Sequence, residues 1–200
     1  VTQTLASTFA AGVIGADGHL QSVPDQRDGH DAFEHLVGVL RDDRPLFVRD
    51  LQPDDLPAAR VVNLALSARS SYLRYFGTFS CASSGEIHRI VAASPNRISL
   101  LGLIAGVPVA LAELDAIGEP AGCEMALSVS DAYQGLGIGT LLLAELAHRA
   151  ALRGVSRLRA DVLHNNAAML ALLRHSGLPM TLTLARDVDQ AMLSVTPDRG

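Results

Sequence analysis

From Pro45 onward, apolar positions fall into short runs whose spacing alternates between strand-like and helix-like. Leu46–Leu51 predicts a strand. Pro53–Asp54–Asp55 opens a helix running to about Leu66, with its acids at the positive end. A second helix spans Ser67 to Phe76, closed by Gly77, and a third covers Glu86 to Ala92. Ile98–Leu103 and Val107–Leu114 flank Ala105–Gly106 as a hairpin would, and Glu124–Val129 is a further strand after the Gly118–Gly122 loop. Thr140–Arg153 predicts a long helix: Leu141, Leu142, Leu143, Leu146, Ala147 and Ala150 give a broad apolar face, and Gly154 ends it. Arg157–Leu163 alternates as a strand, Asn166 opens a helix to about His175, and Met180–Ala185 with Met192–Thr196 form a closing pair of strands. This order predicts a mixed α/β domain with one crossover unit at Glu124–Leu163.

Residues 1–44 read differently. Gly12, Gly15, Gly18, Pro24 and Gly29 among scattered aspartates predict loops. Asp31 can cap one short helix, on which Phe33, Leu36, Val37 and Leu40 recur at helical spacing. The expected organisation is an N-terminal arm over 1–44 and one domain over 45–197, the arm lying against that domain or a second subunit.

Composition narrows the function classes. With 200 residues, 48% apolar and 18% charged, the chain has material for a sizeable core. A net charge of −5 lacks the basic excess of a nucleic-acid or anionic-membrane binder. All 16 basic residues are arginine; the absence of lysine excludes Schiff-base chemistry and a G-x-x-x-x-G-K phosphate loop. Cys81 and Cys123 lie far apart with no ligand-spaced partner, so neither a disulfide framework nor a metal site is expected. No apolar run approaches 18 residues, and Phe9–Ile14 lacks a preceding positive region. The expectation is a cytoplasmic chain with neither signal peptide nor membrane span.

The most informative segment is Asp131–Thr140, joining the Glu124–Val129 strand to the Thr140–Arg153 helix. Gly135, Gly137 and Gly139 let the backbone pass close to a ligand and aim several N–H groups at it, with a helix's positive end behind. Such a turn can equally serve close helix–strand packing alone. As an anion site it admits two readings. A dinucleotide loop needs G-x-G-x-x-G, whereas the spacing here is G-x-G-x-G, with Asp161 as an imitation of the ribose-binding acid. The other uses Gln134: Gln134-x-x-Gly137-x-Gly139 resembles the acyl-CoA pyrophosphate loop of the GNAT N-acetyltransferase superfamily. Three stretches resemble the GNAT domains of bacterial protein lysine acetyltransferases: Ser67-x-x-Ser70-x-Tyr72-Leu73-Arg74-Tyr75-Phe76, Glu124-Met125-Ala126-Leu127-x-Val129, and Asp161-Val162-Leu163 with Asn166-x-x-Met169-Leu170.

The resemblance covers roughly three-quarters of the chain, residues 45–196. It implies a mostly antiparallel sheet flanked by helices, with splayed fourth and fifth strands. It implies acetyl-CoA as acyl donor, its pyrophosphate on the main chain of Gln134, Gly135, Gly137, Gly139 and Thr140. The pantetheine arm would meet backbone groups of Leu127 and Val129, and Asn166, also a helix cap, would touch the cofactor. The acceptor is a primary amine, which is protonated at neutral pH and needs a base before it can attack. Glu124, matching that branch's strand-four glutamate, is the expected base; pairing with an arginine is its plain structural role. His164, beyond a strand end, is a possible proton shuttle. Leu173 stands where many members carry the tyrosine acid, and Leu136 where an arginine or lysine is common; the departures leave the acid unassigned and put more of the phosphate grip on backbone amides. The implied activity is acetylation of a protein lysine by a monomer or homodimer. A small-molecule amine, or a non-catalytic acyl-CoA-binding module, are the alternatives.

Overall fold

The computed structural model describes residues 33–76, 84–118 and 122–195. Expectations for residues 1–32, Gly77 and Cys81 lie outside them. In order, the described chain forms β1 (His35–Val39), β2 (Pro45–Asp50), α1 (Leu56–Leu64), α2 (Ala68–Tyr75), α3 (Ser84–Val91), β3 (Arg97–Ile104), β4 (Val107–Gly118), β5 (Gly122–Val129), α4 (Ile138–Leu152), β6 (Arg157–Leu163), α5 (Ala167–Arg174), β7 (Met180–Thr183) and β8 (Val188–Ser194). The strands make one sheet in the order β1-β2-β3-β4-β5-β6-β8-β7. Every neighbouring pair is antiparallel except β5–β6, joined through the α4 crossover. The fold class is the mixed α/β one predicted.

The helix expected around Phe33–Leu40 is instead strand β1. Its apolar residues do not share one face: Val37 and Leu40 are buried, whereas Phe33, Leu36 and Val39 are exposed. Val37, Gly38 and Val39 in succession favour extended chain over a helix this short. The Leu40–Arg44 turn, closed by Leu40 N–H to the Arg44 carbonyl at 2.8 Å, folds β1 onto β2. The strands counted fourth and fifth from the sequence are therefore β5 and β6. β8 begins at Val188, earlier than expected, because the buried Asp189 interrupts the apolar run that marks a strand.

Alternation along the strands divides the core between two sheet faces. One holds α4 and α5: Leu142, Leu146 and Leu173 pack with Leu100, Met125, Leu158 and Val162. The other holds α1 and α3, whose Ala59, Val62, Ile87 and Ile90 pack with Leu101, Leu103 and Leu111. Arginine–carboxylate pairs reinforce the second face: the buried Glu113 accepts from Arg74 Nη2 at 2.5 Å and Arg89 Nη2 at 2.8 Å, tying α2 and α3 to β4. Arg89 also bonds Glu86 and Asp115. No helix of the described residues is long and apolar enough to cross a membrane.

Two glycines with positive φ make different demands. A Cβ on Gly106 (φ 76°) would meet open space, whereas one on Gly122 (φ 81°) would lie 2.4 Å from the Arg157 carbonyl oxygen. Gly122 thus permits the contact that starts the β5–β6 pairing. Gly106→Ala is expected to cost about 1–2 kcal/mol from backbone conformation alone. Gly122→Ala should cost about 2–5 kcal/mol, because steric overlap adds to the same conformational penalty; urea denaturation of both variants checks this. Near the other end of the sheet, His164 bonds Asp189 Oδ2 at 2.9 Å through Nδ1 and the Arg186 carbonyl at 3.0 Å through Nε2. The Asp189 bond, aided by that to Arg186, raises the His164 pKa above its ordinary value of 6.5. This stabilisation is fully present below about pH 6.5 and is lost as pH rises through the raised folded-state value. The Tm advantage of wild type over His164→Gln should therefore be larger at pH 5.5 than at pH 9, a comparison that thermal melts supply.

Candidate active site

The site begins where the parallel pairing stops. β5 and β6 are in register only at Cys123↔Leu158 and Glu124↔Arg159. Beyond these, β5 stays paired with β4 and β6 with β8, leaving one edge of each strand open. A cleft of about 490 Å³ occupies the divergence, lined by β5 from Glu124 to Val129, the glycine turn, α2 and α5. Ser130 N–H donates to the Val109 carbonyl at 2.9 Å. By the alternation of an antiparallel ladder, Ser128 also addresses β4, so the main-chain groups of Leu127 and Val129 face the open edge.

The turn at the end of β5 is fixed by its own polar groups. Asp131 N–H donates to the Ala65 carbonyl at 3.1 Å. Gln134 Nε2 reaches the Val129 carbonyl at 3.0 Å, Asp131 Oδ1 at 3.1 Å and Ser70 Oγ at 3.3 Å. The side chain of Gln134 thus joins β5, the turn and α2, while the residue itself lines the cleft. Gly135 (φ 78°) and Gly137 (φ 98°) carry the chain through left-handed conformations, and a Cβ on either would project into open space. Gly137 caps α4, which starts two residues before the predicted position, so Gly139 and Thr140 lie in its first turn. N–H groups there have no intrahelical acceptor and sit at the positive end of a 15-residue helix. A Cβ on Gly139 would come within 3.0 Å of Leu172 Cδ1, so this glycine serves the close approach of α4 to α5.

At the opposite end Glu124 is partly exposed. It alternates with Cys123 and Met125 of the α4–α5 face and so stands on the face of α1–α3. A single nitrogen, Arg159 Nη2, bonds Glu124 Oε2 at 2.9 Å and Asp161 Oδ2 at 3.3 Å. Both carboxylates line the cleft, facing Leu73, Arg74 and Phe76 of the α2 segment. Asn166 caps α5, its Oδ1 accepting from Met169 N–H at 3.1 Å, and also lines the cleft.

The residues expected as base and cofactor contacts — Glu124, Leu127, Val129, Gln134, Gly135, Gly137, Gly139, Thr140 and Asn166 — line this one cleft. His164 is not among the lining residues; it is held against Asp189 and Arg186 instead. Leu173 is buried in the core at 1% exposure. Sequence reasoning missed Arg41, Arg159 and His175. Arg41 approaches from the β1–β2 turn, 94 residues from Gly135 in sequence, and only the fold reveals it. Arg159 stands two residues before Asp161 in β6, and its register with Glu124 has no local signature. His175 lines the cleft with Nδ1 bonded to the Ala171 carbonyl at 2.7 Å.

Comparison with known proteins places this geometry. The GNAT domain of S. lividans protein acetyltransferase is 28% identical with a TM-score of 0.75, over 80% of this chain and 96% of that one. The Salmonella typhimurium protein YncA, solved with its cofactor acetyl-CoA, shares the fold at 19% identity and a TM-score of 0.56, over 78% and 95% of the respective chains. A cAMP-binding acyltransferase from Mycobacterium smegmatis does so at 23% identity and a TM-score of 0.56; the match spans 83% of this chain and 49% of that chain. The family model of the GNAT acetyltransferases matches residues 66–178, more than half of the sequence and the whole of the glycine turn. The chain belongs to the GNAT acetyltransferase family.

Proposed function

We propose that the protein transfers an acetyl group from acetyl-CoA to a primary amine, namely a lysine side chain of another protein. The observation that carries the proposal is the divergence of β5 from β6, with a glycine turn at one end of the gap and two carboxylates at the other. The donor is supported by the cradle itself. Open space stands beside Gly135 and Gly137, α4 contributes unpaired N–H groups, and the Leu127 main chain with the Val129 N–H, on the open edge of β5, can receive an extended amide-bearing arm as an added strand would be received. YncA's cofactor is acetyl-CoA. The acceptor class is supported by the likeness to the S. lividans GNAT domain.

Acetyl-CoA supplies a thioester whose acyl carbon the amine attacks. The side chains manage the amine's charge. An alkylammonium has a pKa near 10.4 and must lose a proton to become nucleophilic. Arg159 Nη2, within hydrogen-bonding distance of both Glu124 and Asp161, marks a position where a cationic nitrogen meets two carboxylates on the cleft wall. An incoming ammonium competes for the same oxygens and delivers its proton to Glu124. The neutral amine then forms the C–N bond as the C–S bond breaks. The second amine proton reaches the departing thiolate, directly or by way of solvent, giving amide and thiol. A main-chain N–H of the open β5 edge is placed to polarise the thioester oxygen. A thiol is a tolerable leaving group without a dedicated acid, consistent with Leu173 in the core.

A non-catalytic acyl-CoA module is the second reading, favoured by that buried leucine. Mass spectrometry of lysate proteins incubated with the enzyme and isotopically labelled acetyl-CoA separates the readings. Labelled lysines on other proteins are expected, and the enzyme has no lysine of its own to obscure them. CoA binding without thiol release above background, across proteins and small amines, would overturn the catalytic reading. Glu124→Gln should lower kcat by about 10²–10⁴-fold while leaving the acetyl-CoA Kd nearly unchanged. Gly137→Val should act in the opposite order, because it strains the turn and fills the cradle: donor affinity falls first. Steady-state kinetics with calorimetry distinguish the two patterns.

A further inference from the structure

The glycine turn contains no cation of its own, since the residue between its first two glycines is Leu136. A second segment supplies one. In the turn between β1 and β2, Arg41 donates its main-chain N–H to the Leu136 carbonyl at 3.1 Å and its Nη1 to the Gly135 carbonyl at 2.9 Å. These two bonds hold the guanidinium against the rim of the glycine turn, where it lines the cleft.

The other arginines nearby are already matched. Arg44 is bonded to Asp42 Oδ2 through both Nε and Nη2, at 2.8 and 2.6 Å, and lies over the Tyr133 ring. Arg74, also on the cleft wall, is bonded to the buried Glu113. Among the described residues Arg41 makes no ion pair. One of its five N–H donors serves Gly135, and the rest of the planar fork can address an anion. β1 and its turn lie outside residues 66–178, so the family match says nothing about this contact.

We propose that Arg41 binds the diphosphate of the coenzyme, taking the place of the loop cation that Leu136 lacks. The inference rests on the proposed use of acetyl-CoA and adds a specific residue to it. The backbone N–H groups and the start of α4 give partial charges, whereas a diphosphate carries full ones; a guanidinium fixed at the rim balances them. An arginine suits the position because it can bond a carbonyl and a phosphate at once, which a single ammonium does less well.

The test measures binding of coenzyme A by calorimetry and of pantetheine, which lacks every phosphate, by NMR titration at millimolar concentration. Wild type, Arg41→Gln and Arg41→Lys are compared after confirming equal Tm. Loss of one charge-assisted contact predicts a rise of about 10–100-fold in the coenzyme A Kd for Arg41→Gln. Pantetheine binding should be unchanged, and Arg41→Lys, which keeps the charge but not the planar fork, should recover only part of the loss. An unchanged coenzyme A Kd in Arg41→Gln would overturn the inference. So would an equal loss for both ligands, which would make Arg41 a support of the turn alone. Failure of wild type to bind coenzyme A is a different outcome: it removes the underlying reading as well.

Discussion

The brief parallel contact between β5 and β6 is the constraint on which the site depends. At its base, Gly122 allows the backbone to pass against the Arg157 carbonyl, and two pairs of residues later the strands part. Each strand could have collapsed onto the other to satisfy its open edge, because unpaired main-chain groups are costly when removed from water. Both are instead held from behind: β5 by its long antiparallel register with β4, and β6 by full register with β8. The gap is therefore built into the sheet and does not await a ligand.

That gap organises the charge around it. The chain is acidic overall, yet a site for a phosphate-bearing donor must attract anions. At the glycine turn the start of α4, main-chain N–H groups and Arg41 gather positive charge locally, while Arg74 on the cleft wall and Arg159 beside Glu124 are matched to carboxylates. The network around Glu113 has a related effect on the opposite wall. By tying Arg74 and Arg89 to β4, it fixes α2, whose Leu73 and Phe76 face Glu124 across the cleft. Tyr75 of the same helix donates its hydroxyl to Asn63 Oδ1, joining α2 to α1.

Where elements follow from nearest neighbours, the sequence could be read directly. The α4 leucines, the Ala105–Gly106 turn and the cap at Asn166 each have a local signature, and each fell where expected within a few residues. The glycine turn was legible for the same reason, since positive φ at Gly135 and Gly137 admits few other residues. Long-range matters were not. Val37 and Leu40 share helical spacing with Phe33, but only pairing with β2 determines which side chains are covered. No local pattern marks the contact of Arg41 with the glycine turn, and Glu124 gains its arginine through a register that none specifies. Asp189 shows the converse: a buried charge made a strand look like a loop until His164 was seen beside it.

A gap that pierces a sheet has two mouths. Here one is flanked by α4 and α5 and the other by α2, and the helices behind that second face, α1 and α3, pack into an apolar cluster separate from that of α4 and α5. Changes at the second mouth can therefore alter what is admitted there without repacking the helices that frame the first. Under the proposed function, donor recognition and acceptor choice would be separable traits. Substitution could then vary the α2 side of the gap while the glycine-turn side stays fixed.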